Sequence, residues 1–284
     1  MGTIKVVTDS ACDLPPGLCQ ELGIDVVPLS IRIGTEEFVD RRDLTPAEFW
    51  RRCHASSTLP ETSAPSPGAF ETSFREAAAA GAEGVVCITI SQAMSATGQA
   101  AQLAADAVAA DLPVRVVDSR NASLGEGMIV VAAARAALAG KGLDDVAGLA
   151  RDLVPRSRLF GIIATLENLK KGGRIGGAQA FLGSVLAIKP IVTVADGEVA
   201  EESKQRTRAK AIQYVVNTVK ALGPLDGLGL MHAQAPDVEE LLSRLEGVYP
   251  RSDIVVSDIG AVIGTHIGSG CIGLVALVGD QGRS

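Results

Sequence analysis

Aromatic side chains are scarce: the chain of 284 residues holds six Phe, two Tyr and one Trp, against 47% hydrophobic residues in all. A core made from this composition has to be built from Ala, Val, Leu and Ile. Cysteine is also thin. Its five copies (Cys12, Cys19, Cys53, Cys87, Cys271) are odd in number and lack CxxC spacing, which argues against a disulfide framework or a zinc site and fits a reducing cytosol. An excess of basic charge is missing too. Lys and Arg number 26 against 33 Asp and Glu, a net charge of −7, so the basic face that displaces counterions from nucleic acid is not expected.

Long apolar runs are absent. The richest, "MIVVAAARAALAG", is shorter than a membrane span and ends in Gly-Lys. The opening "MGTIKVVTDS" enters a strand directly, without the charged leader and apolar core of a signal peptide. The expectation is a cytoplasmic protein with no stable membrane insertion. Familiar catalytic signatures are missing as well: no GxxxxGK[ST], no GxSxG, no HExxH, and only three histidines. "GSGCIG" (268–273) has dinucleotide-fingerprint spacing, but "LVALVGD" after it reads as a strand where that motif needs a helix. No metal ligands, cofactor or catalytic residues are therefore assigned.

What is present is alternation. "IKVVTDS" reads as a strand, "PPGLCQELG" as a short helix, and "IDVVPLSIRI" as a second strand. "LTPAEFWRRCHA" opens on Thr45 with Glu48 three residues on, the pattern of a capping box. "GVVCITI" is continuously apolar, as in a strand covered on both faces. It leads to a small-residue helix from about Ser95, then "VRVVDS", then an alanine-rich helix over about Ser123–Leu138. Strands separated by helices imply parallel crossovers with helices on both faces of a sheet. Beyond residue 155 the texture changes. "KPIVTVADGEVAEESKQR" reads as a hairpin turning at Asp196-Gly197, so a mixed sheet is expected there. The expected division is 1–155 and 156–284, each half α/β.

Four stretches put small polar groups after apparent strands, where ligands of open parallel sheets sit. They are "TDSACD", the loop "TSAPSP" (62–67), "SQAMSATGQAA" (91–101) and the glycine-rich "GTHIGSGCIG" (264–273). Taken singly, Ser95 reads as a helix N-cap hydroxyl, "TSAPS" as a turn, and His266 as a structural histidine. A helix start also presents free N–H groups to an anion.

Together with "LENLKKGGRI", "LAIKPIVTVADGEV" and "KQRTRAKA", and in this order and spacing, these stretches resemble the DegV family of bacterial proteins. That family includes the fatty-acid-binding subunit of fatty acid kinase. The resemblance implies an N-terminal three-layer α/β/α domain with a parallel sheet, a C-terminal two-layer α/β domain with a mixed sheet, and one long-chain fatty acid between them. It implies that Thr62, Ser95 and His266 hold the carboxylate, with Ser63 and Thr97 as neighbours. A protonated His266 imidazole would then donate a charge-assisted hydrogen bond. Ala64 and Ala96 stand where the family usually has Gln and Gly. The resemblance further implies a partner, the ATP-binding kinase subunit that makes acyl phosphate, docking near Arg206 or Arg174. The rival reading of the residues alone is a lipid hydrolase using Ser95 and His266.

Overall fold

The computed structural model describes residues 3–56, 58–183 and 188–280. In chain order its elements are β1 (Thr3–Asp9), α1 (Pro16–Glu21), β2 (Ile24–Val27), β3 (Ser30–Ile33), β4 (Glu36–Val39), α2 (Pro46–Ala55), β5 (Glu61–Ser63), α3 (Pro67–Ala79), β6 (Ala82–Thr89), α4 (Thr97–Val108), β7 (Val114–Asp118), α5 (Leu124–Leu138) and α6 (Leu143–Leu153). There follow β8 (Ser157–Ile162), α7 (Glu167–Lys171), β9 (Lys189–Ala195), β10 (Glu198–Gln205), α8 (Arg208–Ala221), β11 (Leu225–His232), α9 (Val238–Arg244), β12 (Val255–Asp258), α10 (Ala261–Ile267) and β13 (Ile272–Val278).

The first sheet is parallel throughout, in the order β2-β1-β6-β7. Its two central strands are buried on both faces, which is why their sequences are unbroken apolar runs. Val7, Val85 and Cys87 face α3 and α4 through Phe70, Phe74 and Ala101. Val6, Val86 and Ile88 point the other way, into the core that contains Ile129 and Ala133 of α5. The second sheet is mixed, in the order β10-β9-β8-β13-β11-β12, and its one parallel pair is β11 with β12. One face is covered by α8 and α9, with Ile212, Val215 and Leu241 against Phe160, Ile162 and Leu274. The opposite face, carrying Leu159, Val275 and Leu277, rests on α5. The layers are thus helices, parallel sheet, α5 with α6, mixed sheet, helices.

The structure corrects the sequence reading at several places. "IDVVPLSIRI" is not one strand. Pro28 has no N–H to give a ladder, and the chain breaks there into β2 of the parallel sheet and β3 of a separate antiparallel sheet ordered β4-β3-β5. "TSAPSP" is not wholly loop, because Thr62 and Ser63 belong to β5, paired with β3. The short β12 was not anticipated. Only half of the capping box forms. Thr45 Oγ1 accepts the Glu48 N–H at 3.2 Å, while the Glu48 carboxylate turns to Arg51 and Arg52. The hairpin turn is as expected, with positive φ at both Asp196 (51°) and Gly197 (84°).

Apart from the buried Glu126 and the exposed Arg135, α5 is apolar all round because it is enclosed, with eleven of its fifteen residues buried. Its glycines reflect close approach. A Cβ on Gly127 would stand 2.6 Å from the Cys12 carbonyl oxygen and 3.0 Å from the Leu14 side chain. In an open helix Gly→Ala stabilises by about 1 kcal/mol. Gly127→Ala is expected instead to destabilise by about 1–3 kcal/mol through overpacking, read as a lower denaturant midpoint. A raised midpoint would show that the contact between α5 and the turn after β1 relaxes freely.

Candidate functional site

Three short segments converge beyond the carboxyl ends of the parallel strands. Alternation along β5 turns Thr62 inward and leaves Ser63 exposed, so Ser63 is outside the cavity lining. After β6 the chain turns through Ser91 to Ala96 before α4 begins at Thr97. Ala96, not Ser95, holds the N-cap position, and its side chain makes no cap. Ser95 Oγ accepts the Thr97 N–H at 3.3 Å and lies 2.8 Å from Thr97 Oγ1. Thr97 itself is fully buried and outside the cavity lining.

The "GTHIGSGCIG" stretch is not an open glycine-rich strand approach. Its first half is the end of α10, which presents Ile263, His266 and Ile267 on one face by the helical spacing of three and four. Gly264 is on the other face, where a Cβ would stand 2.8 Å from Phe49 and 2.9 Å from Trp50, so glycine lets the helix lie directly on those rings.

Thr62, Ser95 and His266 line one cavity of about 190 Å³, together with Leu29, Ile90, Val199 and Arg174. Ala64 and Ala96, the two departures from the family pattern, line it as well. A second cavity of about 60 Å³ shares Met94, Ala122, Leu169, Val199, Ile263 and Ile267 with the first. It runs on over the mixed sheet past Leu159, Gly161, Val192 and Met231, and its walls are mainly apolar, with Ser123 and Thr193 among them. The arrangement is a mouth with polar groups beside a mainly apolar chamber.

His266 Nε2 lies 3.0 Å from Thr62 Oγ1. Its Nδ1 is buried without a hydrogen-bond partner among the described residues, and it faces Gly172, where any Cβ would collide with it. Burial, helped by the Arg174 charge, lowers the pKa of His266 to about 4. The ring is therefore neutral at physiological pH in the unliganded protein. No hydrogen bond joins Ser95 to His266 among the described residues, so a nucleophile paired with its base is not formed here.

Arg174 follows α7. It donates from Nε to the Met94 carbonyl at 3.2 Å and from Nη1 to the Gly172 carbonyl at 2.7 Å. It is exposed and also borders the cavity. Sequence reasoning missed this because nothing in "LKKGGR" signals that the turn folds back over Met94. Arg206 is exposed between β10 and α8. Its basic neighbours are engaged: Arg208 pairs with Asp237 and donates to the Gly270 carbonyl, and Lys204 pairs with Glu201 and covers the Phe181 ring.

Comparison with known proteins places this geometry in context. The sequence model of the DegV family, described as "Uncharacterised protein, DegV family", matches residues 3–278. A DegV domain-containing protein of Mycobacterium tuberculosis is 37% identical over 287 residues, covering 98% of each chain. Among solved structures, a DegV family protein of Thermus thermophilus, described for its fatty acid binding, is 34% identical with a TM-score of 0.90, covering 97% of this chain and 99% of its own. A stearic acid-binding protein of Eubacterium ventriosum is 26% identical with a TM-score of 0.84, covering 97% and 98%.

The electrostatics of the mouth can be read directly by NMR titration of the His266 ring. It should stay neutral from pH 8 to pH 6 and titrate near the value of about 4 set by burial and Arg174. Removing that cation makes protonation easier, so Arg174→Gln should raise the pKa. A ring that titrates between pH 6 and 7, or that ignores the substitution, would show that the mouth is open to water or that Arg174 lies elsewhere.

Proposed function

This chain belongs to the DegV family, and on that premise we propose that it binds a long-chain fatty acid, with the carboxylate at the Thr62–Ser95–His266 mouth and the acyl chain in the apolar chamber. The single observation that carries the reading is the adjacency of the two cavities, which share Met94, Ala122, Leu169, Val199, Ile263 and Ile267, one bordered by Thr62, Ser95, His266 and Arg174 and the other lined mainly by apolar side chains. An acyl chain gains about 0.8 kcal/mol per buried methylene, which offsets the ordering of the chain. A carboxylate taken from water needs hydrogen bonds in return.

The mouth supplies those bonds through hydroxyls supported from behind. With the proton of the neutral imidazole on Nε2, His266 donates to Thr62 Oγ1 and frees the Thr62 hydrogen for the ligand. Thr97 supports Ser95 from behind, its N–H directed at Ser95 Oγ and its hydroxyl oxygen 2.8 Å from it. Arg174 adds a guanidinium at the rim. His266 in this scheme orients a donor and carries no charge of its own.

The bound acid is then presented to a separate ATP-dependent kinase subunit, which phosphorylates the carboxylate. Arg206 is the candidate docking residue, since it is exposed and no ion pair or hydrogen bond engages it among the described residues. In this reading the chain is a carrier working in the cytoplasm rather than an enzyme. No described helix is long and apolar enough to cross a membrane, and all five cysteines are free thiols. The hydrolase alternative lacks the serine–histidine contact that it needs.

Purified protein examined by native mass spectrometry should carry a fatty acid and should not turn over a chromogenic ester. Ester turnover without bound lipid would sink the carrier reading. Ser95→Ala removes a hydrogen bond to a charged group, worth about 1.5–3 kcal/mol. Affinity should fall about tenfold or more with the apo melting temperature nearly unchanged, and an unchanged affinity would remove Ser95 from the site. Arg206→Glu should leave fatty-acid binding intact while suppressing acyl-phosphate formation with the kinase subunit. Loss of lipid binding instead would mean that Arg206 supports the pocket.

A further inference from the structure

The turn after β1 reads Asp9-Ser10-Ala11-Cys12-Asp13, and the proposed function uses none of it. Asp9, Ser10 and Asp13 are 0%, 0% and 1% exposed, yet none of them lines the two cavities. Each one holds a backbone amide at the head of a segment that does. Asp9 Oδ2 accepts the Ile90 N–H at 2.8 Å, where the chain leaves β6 toward Ser95. Ser10 Oγ accepts the Leu29 N–H at 3.1 Å, one residue before β3, whose Ile31 stands opposite Thr62. Asp13 Oδ1 accepts the N–H of Gly260, the N-cap of α10, at 2.9 Å. Asp13 Oδ2 accepts the hydroxyl of Ser123, at the start of α5, at 2.6 Å.

A turn filled with apolar residues would be cheaper to bury than three polar ones. What the polar set adds is direction. Hydrogen bonds define where each amide must be, whereas apolar contacts allow sliding. α10 has most need of this, because it is only seven residues long and lies on Phe49 and Trp50 through the bare face of Gly264. Asp13 and Ser123 are also both held at positive φ, 51° and 52°, a backbone cost that the surrounding bonds must sustain.

We propose that Asp13 is a positioning residue: by tying the start of α10 to the start of α5 it sets the His266 ring, and with it the Thr62 hydroxyl, at the cavity mouth. Asp9 and Ser10 do the same for the segments that carry Ser95 and Thr62. The inference rests on the fatty-acid reading only for the ligand used to test it.

Asp13→Ala deletes both acceptors and should let α10 shift, opening the His266 ring to water. Its pKa, about 4 in the wild type, should climb by about one unit or more toward the free value near 6.5. Affinity for stearic acid, measured by calorimetry, should fall about tenfold or more. Asp13→Asn keeps an acceptor for the Gly260 N–H and offers a donor to Ser123 Oγ, so both readouts should return to within about twofold of wild type. Asp13→Ala with unchanged pKa and affinity overturns the proposal, as does a folded Asp13→Asn that behaves like the alanine variant. If Asp13→Ala does not fold, Gly260→Ala tests the same bond, since its Cβ would stand 2.9 Å from Asp13 Oδ1. An unmoved His266 pKa there overturns the assignment too. Wild-type protein that takes up no stearic acid would fail the fatty-acid reading alone, because the His266 titration needs no ligand and still decides the role of Asp13.

Discussion

The enclosure of α5 between two sheets is the constraint on which the rest of this structure depends. A helix with a sheet on either side has no polar face to spare, and its girth sets how far apart the sheets stand. That explains its run of Gly and Ala, and a chain built on such a spacer has little room for aromatic rings. Phe49, Trp50, Phe70 and Phe74 all lie away from it, under α10 or on the outer face of the parallel sheet. The helix also decides where a cavity can be. α5 begins at Leu124, and immediately before it Ala122 and Ser123 line the chambers. The space that the helix does not fill, beyond the carboxyl ends of β1, β6 and β7, is the space left for a ligand.

The surroundings of that space hold charge down. Burial raises the pKa of Asp9 to about 6 and that of Asp13 to about 7. Glu126, which accepts the Thr8 hydroxyl at 2.8 Å, is pushed well above the usual carboxylate range by burial and then by the charge of Asp9. Arg41 stands among these acids and donates to the Ser10 and Leu14 carbonyls. The raised pKa values and the Arg41 charge together reduce the negative charge of the turn behind the mouth, so an anion at the mouth meets less repulsion from it. The neutral state of His266 follows the same logic. Recognition by oriented hydroxyls avoids the cost of burying a cation that would be unpaired whenever the site is empty.

Much of the architecture was legible because it depends on local pattern. The apolar runs of β1 and β6, the alanine-rich α5 and the Asp196-Gly197 turn each satisfy a rule that acts within ten or fifteen residues. Thr62, Ser95 and His266 were named from motif order, and the structure brings all three to one cavity. The misreadings have a common form. "IDVVPLSIRI" has strand composition throughout, and only the demand of two different sheets for its two halves shows that Pro28 divides it. Ser63 has the same chemistry as Thr62, and the alternation of β5 alone turns it outward. The four glycines of "GTHIGSGCIG" hid the end of a helix in which Gly264 is there for packing.

The sequence by itself therefore determined the alternation of elements, the parallel and mixed sheets, the poverty of ring-sized core residues, and which hydroxyls and imidazole to watch. The elements follow from side-chain period and backbone preference, and the three polar residues from the motif order that carries the family resemblance. Tertiary structure decided the burial that lowers the His266 pKa, the place of the exposed Arg174 at the cavity rim, and the reach of Asp13 to an amide 247 residues away. Burial and contact across such distances belong to no segment, because they exist only once α5 has drawn the two sheets together.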